Sequence, residues 1–437
     1  MPSSSIRRLD ISAEASYMNR DPATGEPSLN GITWLPCEIA DATQITAIGD
    51  TTTTAVNTST GGFGTQPGDP LLNPNSNLFG DGGQPIKSGT LTVDFYLRSG
   101  ASDEWFAPDQ ATKIILTSRL GFACNDCALS SSSAMTTGGQ ITLPSAPAKG
   151  DVIAYSLPDG RMSYGFATSA AVSQVLMPGE TFSAAYTAKS FSRSSGGDIY
   201  ETVYEIPSVG GDPIAYGEKT FALRITGDGW QQLAFGCAMT ALSITAEAEG
   251  RAIRCSATID CPFTIDVDQN DIATPDWPFA TGVVLHSLGS PFVVGDLSSG
   301  DAATNWDSAY CVSAWTLNLN WTTSGAACGS YWSGRAPLEA TSLDASLELT
   351  IGHPSAASRQ FFAEAWESQK KLQVILPFGG NWYTPSGGCI AIPAAYVTDG
   401  AVTNPDLSAD AIQTQVTLGL SNDPDAVFDY LLRILIF

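Results

Sequence analysis

One run of features occurs twice in this chain, and that recurrence constrains the fold more than any single motif. An alternating strand is followed by a helical stretch, then by a Gly-Cys step that opens a strand pair. The first run uses residues 90–97, the stretch 109–120 and Gly236-Cys237 leading on to Thr245. The second uses residues 343–351, the stretch 355–372 and Gly388-Cys389 leading on to Ile392. Leu91, Val93, Phe95 and Leu97 share one face of the first strand, and Thr92, Asp94, Tyr96 and Arg98 share the other. That period of two is the mark of a strand buried on one side. Residues 253–259 alternate in the same way. Asp109 and Ser355 stand where each can cap its helix. In the second helix Phe361, Phe362, Ala365 and Trp366 predict one apolar stripe, with Lys370 and Lys371 in the last turn.

Composition agrees with a β-rich chain. The 437 residues hold 42 Gly and 26 Pro, and 43% are hydrophobic, enough for ordinary cores. The expected class is mainly β, with two tandem units, each carrying a flanking helix. The first unit spans 1–265, with a long loop at 46–86 and an insertion at 128–215; the second spans 266–437. Residues 31–35 and 314–321 predict further strands, and 262–280, rich in Pro and Asp, a connector. The apolar stretch 427–437 predicts a docked strand or short helix. Forty-four acidic against 20 basic residues give a formal charge of −24. Binding to a nucleic-acid backbone by neutralising phosphates needs the opposite balance. No segment reaches the roughly 18–20 consecutive apolar residues that span a bilayer, and the N-terminus lacks the apolar core of a signal peptide. Synthesis in the cytosol is therefore expected, with the nine cysteines as free, buried thiols.

Few residues point to chemistry. Cys124 and Cys127 have Cys-x-x-Cys spacing, but a zinc site needs two more ligands at similar spacing, and Cys255 and Cys261 do not supply it. His286 and His353 are the only histidines, and no Gly-x-Ser-x-Gly elbow accompanies them. The acidic run 266–271 lacks the glycine and distal glutamate of a calcium loop. Gly-rich segments at 61–64 and 82–83 lack the strand-to-helix setting of a phosphate cradle. No cofactor is expected. The carboxylates on polar strand faces, Asp94, Asp260, Asp344 and Glu348, admit three readings: a paired acid–base system, an ordinary solvated face, or the wall of an electronegative channel.

The stretch 221–250, with its strand, tight turn, Phe235-Gly236-Cys237 step and strand ending at Glu249-Gly250, resembles tail tube proteins of long-tailed (siphovirus-like) bacteriophages. Residues 343–351, 355–372 and 388–389 resemble the second half of the larger, two-unit members. The resemblance covers about half the chain. It implies β-sandwich or open-barrel units whose inner sheets join around a lumen, with three copies making a pseudo-hexameric ring. Rings would stack into a virion tail tube, a conduit that DNA crosses at ejection without sticking. The partners implied are further copies of the chain and other tail proteins at the tube ends, with no membrane and no enzymatic activity. The alternatives are a baseplate or glycan-binding adsorption component, with Trp105, Trp230, Trp332 and Trp382 stacking on sugars, and a hydrolase built on clustered carboxylates.

Overall fold

The computed structural model describes residues 8–21, 27–37, 39–40, 48, 87–98, 110–137, 140–142, 151–158, 160–166, 174–176, 184–193, 199–207, 219–227, 230–247, 252–267, 284–286, 292–296, 304–307, 312–326, 336–352, 356–381, 384–398, 413–421 and 430–436. Over these residues the fold is mainly β, as the composition and alternation lead one to expect, with 21 antiparallel strands and two α-helices. The first strands are β1 (Arg8–Ala13), β2 (Leu35–Cys37) and β3 (Lys87–Tyr96), followed by helix α1 (Gln110–Thr117). Next come β4 (Gly121–Met135), β5 (Gln140–Thr142), β6 (Val152–Ser156), β7 (Met162–Phe166), β8 (Gln174–Leu176), β9 (Tyr186–Arg193) and β10 (Ile199–Pro207). Then follow β11 (Phe221–Gly227), β12 (Trp230–Glu247), β13 (Arg254–Asp266), β14 (Val293–Asp296), β15 (Thr304–Asp307), β16 (Val312–Ser324) and β17 (Glu339–Gly352). Helix α2 (Ala356–Glu367) precedes β18 (Leu372–Asn381), β19 (Thr384–Val397), β20 (Gln413–Leu420) and β21 (Tyr430–Ile436).

One order of pairings occurs twice. In the first instance β2 pairs β1, β1 pairs β11, β11 pairs β12, β12 pairs β13, and β13 pairs β3. In the second, β15 pairs β14, β14 pairs β18, β18 pairs β19, β19 pairs β20, and β20 pairs β17. A helix follows β3 in one and β17 in the other. The two sets join where the second half of β12 pairs with β16, from Ala241↔Asn320 to Glu247↔Ala314. Arg119, buried at the end of α1, ties the same junction. Its Nε donates to the Met239 carbonyl at 2.8 Å and its Nη1 to the Leu338 carbonyl at 3.1 Å.

Several local readings shift. The predicted strand at 31–35 begins only at Leu35, because Gly31 sits at φ 77° in a turn closed by the Ile32 N–H on the Leu29 carbonyl. The predicted connector at 262–280 starts late, since β13 runs on to Asp266 and buries Phe263 against Phe235. The predicted edge of the insertion at 128 falls inside β4, which pairs with both β9 and β10. The helix predicted over 355–372 ends at Glu367, ahead of both lysines. Gln369, at φ 49°, turns the chain out, with Lys370 N–H on the Ala365 carbonyl and Gln369 N–H on the Trp366 carbonyl, a Schellman closure. On its stripe Phe362 and Ala365 are buried, but Trp366 is 40% exposed at the margin. Asp109, Ser355, His353 and nearly all of 46–86 lie outside the described residues.

The Gly-Cys steps lie inside long strands rather than opening them. Gly236, at φ 68°, lies at the register shift in the β11–β12 pairing, between Ala234 and Cys237, and the side chains exchange faces there: Phe235 joins one small cluster and Cys237 the main core. Glu14 secures this bend. Its carboxylate accepts from Gly236 N–H at 2.8 Å, Met18 N–H at 3.0 Å and the Thr220 hydroxyl at 2.5 Å. Gly388 leaves room for β21, because a Cβ there would lie 1.9 Å from the Leu435 carbonyl oxygen. The expected terminal element is thus a strand, β21, held between β10 and β19. Arg433 anchors it, with Nε 2.5 Å from Glu205 and its guanidinium 3.8 Å from the Tyr430 ring centroid.

Two measurements test these points. Gly388→Ala is expected to cost about 3 kcal/mol in urea unfolding, the upper end for overpacking a core. Burial pushes the Glu14 carboxyl from 4.5 up to about 7, although its hydrogen bonds from Thr220, Gly236 and Met18 pull it down. Its contribution to stability is therefore full below about pH 4.5 and is lost as pH rises to about 7. Glu14→Gln is expected to gain stability relative to wild type across that window and to keep a constant difference above it.

Candidate functional face

The recurrence and its junction give seven consecutive antiparallel neighbours, β3–β13–β12–β16–β17–β20–β19. Their registers align side chains into rows across the strands. One row, Phe95–Cys255–Ile244–Leu317–Leu347–Leu418–Val397, is at most 1% exposed throughout and belongs to the main core. The opposite face is polar. Asp94–Ser256–Ser243–Asn318–Ser346–Gly419–Tyr396 forms one row, and Tyr96–Arg254–Thr245–Thr316–Glu348–Thr417 the next. A third row reads Thr92–Thr258–Ala241–Asn320–Asp344.

Hydrogen bonds run sideways along these rows. Ser243 Oγ donates to Asn318 at 2.9 Å, and Asn318 Nδ2 donates to Glu348 at 3.2 Å. The hydroxyls of Thr245 and Thr316 lie 3.3 Å apart, and those of Thr92 and Thr258 3.5 Å apart. Short hydroxyl and amide side chains suit a β face that must stay wet without exposing apolar surface.

All four carboxylates singled out from sequence fall on this one face, but in different states. Asp344 and Glu348 are exposed and Asp260 is half-buried. Asp94 is only 5% exposed, and its carboxylate receives Nη2 of Arg254. A free surface charge at Asp94 is therefore corrected to a buried, paired one, since a two-residue period fixes the face but not the neighbour that leans over it. Sequence reasoning missed Glu247, on the same face one step beyond Thr245, and Arg254 as the partner of Asp94. With Tyr96, Ser243, Thr245, Ala252 and Ser256, these residues line a cleft of about 590 Å³. Across the paired strands of this face, among the described residues, six carboxylates (Asp94, Glu247, Asp260, Asp344, Glu348 and Glu339, opposite Ser324) stand against one cation, Arg254. Arg98, just past β3, is buried.

The other candidates for chemistry are scattered. Cys37, Cys237, Cys255, Cys261 and Cys389 are all buried. Burial pushes the Cys255 thiol up, and burial with the adjoining Cys261 does the same to Cys237. Among the described residues no cluster of His, Cys, Asp and Glu is arranged to hold a metal ion. His286 is exposed and gives its carbonyl to Gly379 N–H. Trp230 is partly buried against the core, while Trp105, Trp332 and Trp382 and the side chains of Cys124 and Cys127 lie outside the described set. No described helix is long and apolar enough to cross a membrane. No protein-family model matches the chain, and no curated protein matches it.

The two faces respond differently to truncation. Leu317→Ala is expected to lose about 2–4 kcal/mol in chemical denaturation. Its neighbour Thr316→Ala is expected to lose less than about 1 kcal/mol, the scale of one cross-strand pair.

Proposed function

We propose that the chain is a structural subunit of a phage-type tail tube, whose polar sheet face lines a conduit for DNA. The observation that carries this reading is the seven-strand face, acidic and hydroxyl-rich on one side and almost entirely apolar on the other. On this reading the twice-occurring pairing order is a tandem pair of tube units, 1–265 and 266–437. The β12–β16 junction inside one chain is then the model for the joint between chains. The counterpart of β12 is β19, which pairs with β18 as far as Ala395 and with β20 through Val397. The β19 edge near Tyr396 and Thr398, on the side away from β20, is where the next copy would add its strand. Such head-to-tail closure makes a ring, and stacked rings make a filament.

Magnitudes agree with a duplex-sized hole. Seven strands per copy and three copies, at a spacing of about 4.8 Å, give a circumference of about 100 Å and a backbone-to-backbone width of about 32 Å, which strand tilt enlarges. Six carboxylates less one guanidinium leave five negative charges per copy on this face, fifteen in a ring of three. A wall of that sign repels phosphates and keeps a water layer between them, whereas paired lysines and arginines would act as brakes.

Electron microscopy of concentrated protein is expected to show rings or tubes; a species that stays monomeric at every concentration would overturn the reading. Asp344→Lys combined with Glu348→Lys is expected to leave melting within about 2 °C, as both are exposed surface positions. Tubes of that variant are expected to retain DNA that wild-type tubes release. Glycan binding by a protein that never polymerises would instead favour the adsorption component.

A further inference from the structure

The acidic face carries one cation within its described rows, and that cation is held. Arg254 stands between Tyr96 on β3 and Thr245 on β12, half-exposed, in register with both. An arginine so placed is the residue type best suited to grip a phosphate, through its planar fork of donors. Its Nη2 is bound instead by the buried Asp94, in the row beside it, and Glu247 lines the same cleft. A phosphate oxygen approaching Arg254 must compete with one carboxylate already in place and meet a second within the cleft. At the far side of the face the corresponding diagonal is Glu348 and Gln415, with no cation to cover.

We infer that Asp94 is a positioning residue that masks Arg254 from phosphate, so that the one arginine on the face cannot hold DNA. This rests on the reading of the face as a DNA-conducting wall, but the masking itself is a property of a single chain. Arg254 is kept for its hold on β3: its side chain fastens β3 to β13 across the diagonal, while Asp94 cancels the binding site that the guanidinium would otherwise create. Neutralising Asp94 therefore turns a repelling surface into one that retains phosphates, at one contact per copy.

The test follows the Arg254 Nε–Hε resonance during titration with tripolyphosphate and with a short DNA duplex. Wild type, Asp94→Asn, Asp94→Glu and the double variant Asp94→Asn with Arg254→Gln are compared, each checked by thermal melting. Wild type and Asp94→Glu are expected to leave the signal unmoved. Asp94→Asn is expected to shift it saturably, with affinity at least about tenfold tighter, the effect of one uncovered charge-assisted contact. The log–log salt slope should steepen by about one, and the double variant should lose the gain. A saturable shift of the Arg254 signal in wild type would sink the proposal, and that arm needs no variant to fold. A folded Asp94→Asn that does not respond would sink it too. Micrographs of the same preparations report ring formation separately, so failure of the tube reading and failure of the masking are told apart.

Discussion

The strict two-residue period of an extended chain, held in register across seven strands, is the constraint on which this structure depends. A slip of one residue at any junction would carry Leu317 or Ile244 to water and Thr316 or Ser243 into the core. The register is over-determined from both sides. Apolar rows such as Phe95 to Val397 exclude water, while Ser243, Asn318 and Glu348 bond along the polar side. The same period that stabilises the fold therefore delivers a continuous polar surface as a by-product.

That surface is chemically plain, and the plainness is informative. Its hydroxyls and amides bond to one another, its arginine is taken up by Asp94, and the described thiols are buried. Nucleophilic or acid–base work needs groups set apart from their neighbours and brought together in a cleft. On the reading proposed above, a face whose groups are matched sideways is suited to passage over a wide area.

Much of this was legible in the sequence, and the gaps have physical causes. Alternation at 90–98, 253–259 and 343–351 located three of the seven strands and their inward residues, because side-chain period is a local property. It also set Asp94, Asp344 and Glu348 on outward faces. Pairing partners are not local. Nothing near Ser243 announces Asn318 as its neighbour, and nothing near Asp94 announces Arg254, 160 residues on. The Gly-Cys steps were visible as a motif, but their roles differ. Gly236 supplies a left-handed bend and Gly388 clears a path for Leu435, a distinction that only three-dimensional neighbours create.

The docking of β21 between β10 and β19 has a consequence for how the chain is made. Beside β12 the single strand β13 runs the full length, whereas beside β19 the corresponding ground is divided between β20 and β21. As the ribosome delivers the polypeptide, the side of β10 that β21 will fill stays unsatisfied from the time Pro207 emerges until Tyr430 does. An unfilled strand edge invites pairing with the wrong chain. Synthesis thus leaves a long interval in which that edge is open to the terminal strand of another copy.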